Sequence, residues 1–370
     1  MASGSIADST LNNSNCEAQT VQTRKYHALL DEALSALDFA TRSPSRTTHK
    51  SFVEKLGERN ARKVLGDSLI ENNLPLIISE NLESFLTVMD KIYKYESFTK
   101  VDCSISVEEL KNSQAIPSLR NNTKVFEIVH DSNAKTQKEK STTLILKKGD
   151  ICQLHIDAVV NPANERGLGC FVPEHVCLDN ILHRRAGPRL REACRVKIEE
   201  RREELKSRKN PEDPDYIDST PVLKVGDKPF ITSGFFLEAK NVIHATGPQM
   251  RKGDVPTEEQ IEMLRKTYWN CLDAVEEHNN KCLTSRNNDE GNKIIRSIAF
   301  PCISTGLFGF PQKEASEIAM QTVMRAVRYS AAAEEEEQGR NYPIDTIIFD
   351  VFTEEDWLLY SLAFDALEKS

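Results

Sequence analysis

The chain has 370 residues, 39% of them hydrophobic, and a formal net charge of −9. That length supports a buried core and two domains, while the acidic balance argues against a nucleic-acid binder, whose phosphate contacts need a basic surface. A small anionic ligand stays open, because backbone amides bind phosphate without Lys or Arg. The nine cysteines are odd in number and scattered, unlike a secreted disulfide scaffold. A reducing, cytoplasmic setting is therefore expected, with a mitochondrial one left open. No apolar run reaches the roughly 18 residues of a membrane span, so no membrane partner is expected.

Residues 1–21 are Ser/Asn-rich and lack Arg, which makes a poor transit peptide and predicts a disordered tail. From 22 to 120 the texture is helical. Ala28, Leu29, Ala33, Leu34, Ala36 and Leu37 recur at helical spacing, as do Leu82, Phe85, Leu86, Met89 and Ile92. Phe52 to Leu69 is amphipathic, and no catalytic grouping occurs in this extension. From 121 to 370 strands and helices alternate. Phe126–Val129 and Thr143–Leu146 are short apolar runs joined by a polar connection, as in a hairpin. The expected order then runs strand Ile156–Val160, helix Asn180–Leu205, strand Phe230–Ser233, strand Asn241–Ala245 and helix Thr257–Glu277. It closes with strand Ser297–Ile303, helix Gln312–Tyr329, strand Thr346–Val351 and helix Glu354–Glu368. Such alternation predicts an α/β fold with a mostly parallel sheet covered on both faces. Lys197–Lys209 with the following NPEDPDY, Ser285–Asn292 and Glu334–Glu337 read as solvated excursions.

Ligands of such sheets sit beyond the carboxyl ends of the strands, and the two informative loops, 161–178 and 303–311, both follow expected strands. The first holds Cys170, His175 and Cys177. Soft S and N donors suit zinc, and three ligands with an open position suit a catalytic site, with Pro173 stiffening the span. The spacing is not one of the common zinc patterns, so a chance grouping in a loop stays open. Asp179 precedes the apolar-periodic run Ile181, Leu182, Ala186, Leu190 and Ala193. It reads as a helix N-cap that also aims a carboxylate at whatever the loop binds. His183 one turn on reads as structural. In the second loop Ser304, Thr305, Gly306 and Gly309 let successive N–H groups face one point, an anion nest backed by the helix from Gln312, and Phe308 is placed to stack on a ring. Asp150 suits either a turn or an exocyclic amine such as that of adenine.

Taken in order, Gly149-Asp150-Ile151, Asp157-Ala-Val-Val-Asn161-Pro-Ala-Asn164, Asp179 through Gly187 and Ile303-Ser-Thr-Gly306 to Pro311 resemble the macrodomain. This is a three-layer α/β/α module that binds ADP-ribose. The run from Asp179 to Gly187 resembles the catalytic-loop helix of MacroD-type ADP-ribosyl hydrolases. Their uninterrupted glycine run is replaced here by Gly167-Leu-Gly-Cys170-Phe-Val-Pro-Glu-His175-Val-Cys177, which is similar to the zinc-dependent macrodomains with an N-terminal helical extension. The resemblance implies Cys170, His175 and Cys177 as ligands of a zinc ion (Zn2+), and Asn164 on the distal ribose. It implies Asp179 orienting or activating water, or holding the ribose. Asp150 with Ile151 falls at adenine, and Ser304, Thr305, Gly306, Leu307 and Phe308 around the diphosphate. Glu174, charged and beside a ligand, departs from the pattern. The implied substrate is mono-ADP-ribosylated protein and the implied state a monomer. A reader that binds without cleaving, and a hydrolase of a free ADP-ribose derivative, remain the alternatives.

Overall fold

The computed structural model describes residues 24–30, 32–33, 59, 62–63, 65, 82–99, 104–129, 141–172, 174–208, 222–284, 294–334 and 344–367. The expected tail, the NPEDPDY loop, Ser285–Asn292, residues 335–337 and Pro173 lie outside them. The chain divides into two compact units.

One unit comprises the described residues of Met1–Val101 with Phe171–Glu174 and Gly187–Glu192. Its principal helix is α1 (Leu82–Thr99). Phe85, Leu86, Met89 and Ile92 recur every three or four residues and are buried, as the periodicity requires. At the polar edge Arg189 donates to Glu83 at 2.8 Å and to Asp90 at 2.6 Å. These pairs are solvent-exposed or half-buried, so water and salt screen them and they contribute little to stability.

The other unit, the described residues of Asp102–Cys170, His175–Ala186 and Ala193–Ser370, is the α/β body. A short strand β1 (Ile105–Ser106) leads into helix α2 (Val107–Lys111), started by a capping box between Ser106 and Glu109, and helix α3 (Pro117–Arg120). Strands β2 (Thr123–Val129) and β3 (Ser141–Lys148) form the expected antiparallel pair. There follow β4 (Leu154–His155), β5 (Ala158–Pro162), helix α4 (Leu178–Ala186), helix α5 (Pro188–Arg208), β6 (Phe230–Ser233) and β7 (Asn241–Ala245). Helix α6 (Glu258–Thr284), β8 (Ser297–Phe300), α7 (Gln312–Glu334), β9 (Thr346–Val351) and α8 (Glu354–Leu367) complete the body.

The seven-stranded sheet has the order β2-β3-β9-β8-β5-β7-β6. The five inner strands run parallel and only the two edges are antiparallel. Parallel strands buried on both faces need continuous apolar runs. Thr346–Val351 is buried at all six positions and Ser297–Phe300 at all four. Tyr268, Phe300, Phe349, Tyr360 and Phe364 fill the core between sheet and helices. Away from the site, Asp157 ties the start of β5 to β8 by accepting from the Arg296 and Ser297 amides at 3.0 Å each.

The expected helix Asn180–Leu205 is two helices. Gly187 has φ 85°, in the left-handed region, and Pro188 then starts α5 at a position where a missing N–H costs nothing. Gly187→Ala is therefore expected to lower stability by roughly 1–2 kcal/mol. A thermal melt should show a drop of a few degrees, and an unchanged midpoint would show the break to be unstrained.

Candidate active site

The parallel strands bring their carboxyl ends to one edge in the order β3, β9, β8, β5, β7. Asp150 and Ile151 follow β3, Phe352 follows β9, the 301–311 loop follows β8, and the loop with Cys170, His175 and Cys177 follows β5. From β3 to β5 is three strand steps of about 4.8 Å, so the loops at this edge span about 14 Å. That is room for an elongated ligand rather than a compact one.

At the β5 end, ligand atoms of Cys170, His175 and Cys177 lie within 4.8 Å of one another, with Cys170 Sγ and His175 Nδ1 at 3.5 Å. The loop thus gathers all three residues that the sequence singled out. Their S/N/S chemistry and partial exposure fit a zinc ion with a position left for water or substrate. Burial pushes the Cys177 thiol up to about 12, with Cys170 and Asp179 adding to the rise against the Asn180 amide. Two thiolates side by side are costly, and a cation between them removes that cost. Glu174 is exposed.

Asp179 is not the cap of α4. The helix begins at Leu178, so Cys177 stands before it and takes the Asn180 amide. Asp179 sits inside the first turn, buried, with its carboxylate turned inward. Asn161 Nδ2 donates to Oδ1 at 2.8 Å, Asn164 Nδ2 donates to Oδ2 at 3.3 Å, and His183 Nε2 lies 3.5 Å from Oδ1. Asn164 also donates to the Gly169 carbonyl at 3.1 Å and accepts from the Arg166 amide at 3.0 Å. It is the staple of the loop as well as a candidate ribose contact. Gly169 has φ 85°, and a Cβ there would meet the His183 ring at 2.7–2.9 Å, so only glycine allows the loop to lie on His183.

The second loop forms the expected turn. Ser304 adopts a left-handed φ of 68°, a strain of the kind that collects at ligand sites. Gly309 N donates to the Gly306 carbonyl at 3.1 Å and Phe310 N to the Ser304 carbonyl at 3.0 Å. Among the described residues the amides of Thr305, Gly306, Leu307 and Phe308 have no intramolecular acceptor. The buried Ser304 Oγ has none either. Unmet donors in a curled loop at a helix start are what an oxyanion needs.

At the far end Asp150 caps the 3-10 turn Ile151–Gln153, accepting from Cys152 N at 3.0 Å, and pairs with Arg185 at 2.8 Å. Its carboxylate is thus both a turn acceptor and an ion-pair partner, and an adenine amine has to share it with Arg185. Ile151 is buried beneath.

Two features escaped the sequence reading. Phe352 is 79% exposed directly after β9, although an aromatic just past an apolar strand was a visible signal. The other is a buried run of hydrogen bonds behind Asp179 that joins Asn161, His244 and Thr232. Burial pushes His244 down to about 3. Because the folded value lies below the usual 6.5, its contribution to stability is present above pH 6.5 and lost as pH falls toward 3. We expect the unfolding free energy to fall below pH 6.5 by up to about 1.4 kcal/mol per pH unit from this group. Urea titrations at pH 7, 6 and 5 check this, and a His244→Gln protein should lack that share of the slope.

The Macro domain family profile matches residues 160–319. A Staphylococcus aureus (strain COL) relative named "Protein-ADP-ribose hydrolase" is 33% identical over 228 residues, covering 61% of this chain and 68% of its own. A Fusarium oxysporum f. sp. cubense relative named "Probable bifunctional ADP-ribose hydrolase/ADP-ribosyltransferase" is 38% identical over 222 residues. The match covers 60% of this chain, and the chain spans only 31% of that relative's length. The Oceanobacillus iheyensis macrodomain solved with ADP is 27% identical with a TM-score of 0.44, covering 66% of this chain and 98% of that one. The chain belongs to the macro domain family, and its α/β body is a macrodomain fold.

Proposed function

We propose that this chain is a zinc-dependent hydrolase that removes mono-ADP-ribose from protein side chains. The observation that carries the reading is the S/N/S triad at the carboxyl end of β5, beside the buried Asp179 and one strand from the amide nest. Relatives named protein-ADP-ribose hydrolase support the reaction class.

Cys170, His175 and Cys177 would hold the metal, which would supply Lewis acidity and make a water at the open position more acidic. The remaining work falls to the chain. The amides from Thr305 to Phe308 and the Ser304 hydroxyl bind the diphosphate, and Phe352 with Asp150 and Ile151 holds the adenine end. Contacts remote from the reacting carbon then serve orientation. Asn164 holds the distal ribose. Asp179 orients the attacking water and takes its proton as the water oxygen bonds to C1″; the bond from C1″ to the protein breaks with its electron pair on the side-chain atom, and Asp179 returns the proton to that leaving group. Zinc binding needs Cys170 and Cys177 reduced, as thiolates, so we also propose a reducing compartment, with the chain acting as a monomer.

The test is purified protein on an automodified ADP-ribosylated acceptor, with released ADP-ribose measured by chromatography and metal by mass spectrometry. Release by a zinc-loaded protein supports the proposal. Binding without release selects a reader, and release only from O-acyl or 1″-phosphate derivatives of free ADP-ribose selects a small-molecule hydrolase. Phe352→Ala is expected to weaken ADP-ribose binding about tenfold, the loss of one ring-stacking contact of about 1–3 kcal/mol. Calorimetry checks this, and unchanged affinity would remove Phe352 from the site.

A further inference from the structure

Behind Asp179 the fold stacks three strands whose register aligns polar groups in an otherwise apolar layer. Asn161 on β5 pairs with His244 on β7, and His244 pairs with Phe230 on β6. Asn161 and His244 are 0% and 1% exposed. The Phe230 ring stacks on His244 at 4.7 Å, which fixes the plane of the imidazole. His244 Nε2 lies 3.0 Å from Thr232 Oγ1 and Nδ1 lies 3.2 Å from Asn161 Nδ2. An amide nitrogen only donates, so Nδ1 must be the bare acceptor and Nε2 carries the proton toward Thr232. The other proton of the same Asn161 nitrogen goes to Asp179 Oδ1 at 2.8 Å.

We propose that His244 is a positioning residue for Asp179. Its neutral Nε2–H imidazole dictates which face of the Asn161 amide meets the carboxylate. With the ring in place, the amide nitrogen faces both His244 and Asp179. If the amide turned over, its oxygen would face the carboxylate at hydrogen-bond distance, and Asp179 would swing away from the groove. Burial keeps the ring neutral, since nothing charged pairs with it. The groups facing it are Cys194 Sγ at 3.6–3.9 Å, the His183 ring at a centroid distance of 5.9 Å, Phe230, Thr232 and Asn161. His183, Cys194 and His244 also form an N/S/N group with ligand atoms within 4.8 Å. Both His244 nitrogens are already engaged, so hydrogen bonding rather than metal binding accounts for this cluster.

The inference rests on the hydrolase reading, and two measurements keep the two separate. Imidazole nitrogen NMR, with the His244 signal assigned by its loss in His244→Gln, should show the neutral Nε2–H tautomer from pH 8 to pH 5. The Nδ1–H tautomer overturns the proposal whether or not the protein turns over substrate. Kinetically, His244→Leu should lower kcat by on the order of 10²-fold, as for a misplaced catalytic group, with ADP-ribose affinity within about threefold of wild type. His244→Gln, whose side-chain carbonyl can accept from Asn161, should recover part of kcat. Equal losses in the two variants, tracking a fall in melting temperature, would mean a packing role and overturn it. Should His244→Leu not fold, Thr232→Val carries the same test, because loss of the Nε2–H acceptor should mix the tautomers and lower kcat about tenfold. A single unchanged tautomer with full kcat in that variant overturns the proposal. Wild-type protein that binds ADP-ribose without release overturns the hydrolase reading instead.

Discussion

Cys177→Ala is expected to strip the metal and to lower ADP-ribose release by about 10³-fold or more, since Lewis-acid stabilisation is worth several kcal/mol. Of the three proposed ligands, Cys177 is the one whose loss is expected to do most. It ends the loop, stands directly before α4, and accepts the Asn180 amide that starts the helix. Removing its sulfur leaves Cys170 and His175, two donors on a partly exposed loop, which is too few for tight zinc binding. The measurement pairs metal content with turnover on the same preparation. Chelator-treated wild type should fall to the same level and recover on adding zinc, which the variant should not do. Full hydrolysis by verified metal-free Cys177→Ala protein would falsify the zinc role while leaving the proposed ADP-ribose contacts standing.

The body was legible where burial on both faces makes strands apolar throughout. Phe230–Ser233, Asn241–Ala245 and Thr346–Val351 have the expected bounds, and the loops 161–178 and 303–311 follow β5 and β8 as expected. The Gly187 break was masked by its surroundings. Leu190 and Ala193 continue the spacing of Ile181, Leu182 and Ala186, so the apolar stripe runs across two helices even though the Gly-Pro pair is itself a stop signal. Asp179 looked like a cap because a cap is a local role. Its observed role depends on amides from β5 and the following loop. The His244 chain had no local signature at all, because Asn161 and His244 are 83 positions apart and meet only through strand pairing. Likewise nothing in Gly149-Asp150-Ile151 points to Arg185 as the partner that shares the Asp150 carboxylate.

The second large effect is expected at Asp179. Asp179→Asn should lower kcat by about 10²–10⁴-fold, the usual share of a positioned acid or base, while zinc content stays at the wild-type level. The substitution is nearly isosteric, so α4 should keep its place. The chemistry of the position changes, however. The carboxylate accepts from Asn161 and Asn164, whereas an amide there offers one oxygen to two donors and turns its own N–H groups on the remaining one. One buried donor is left unmet, at a cost of roughly 1–3 kcal/mol in stability. Kinetics, metal analysis and thermal melts on one sample separate these consequences. Lost turnover with retained zinc assigns the chemistry to the carboxylate, whereas zinc lost in parallel would make Asp179 a support of the metal loop. Turnover within threefold of wild type would remove Asp179 from the reaction, and with it the reason for a buried histidine to fix its position.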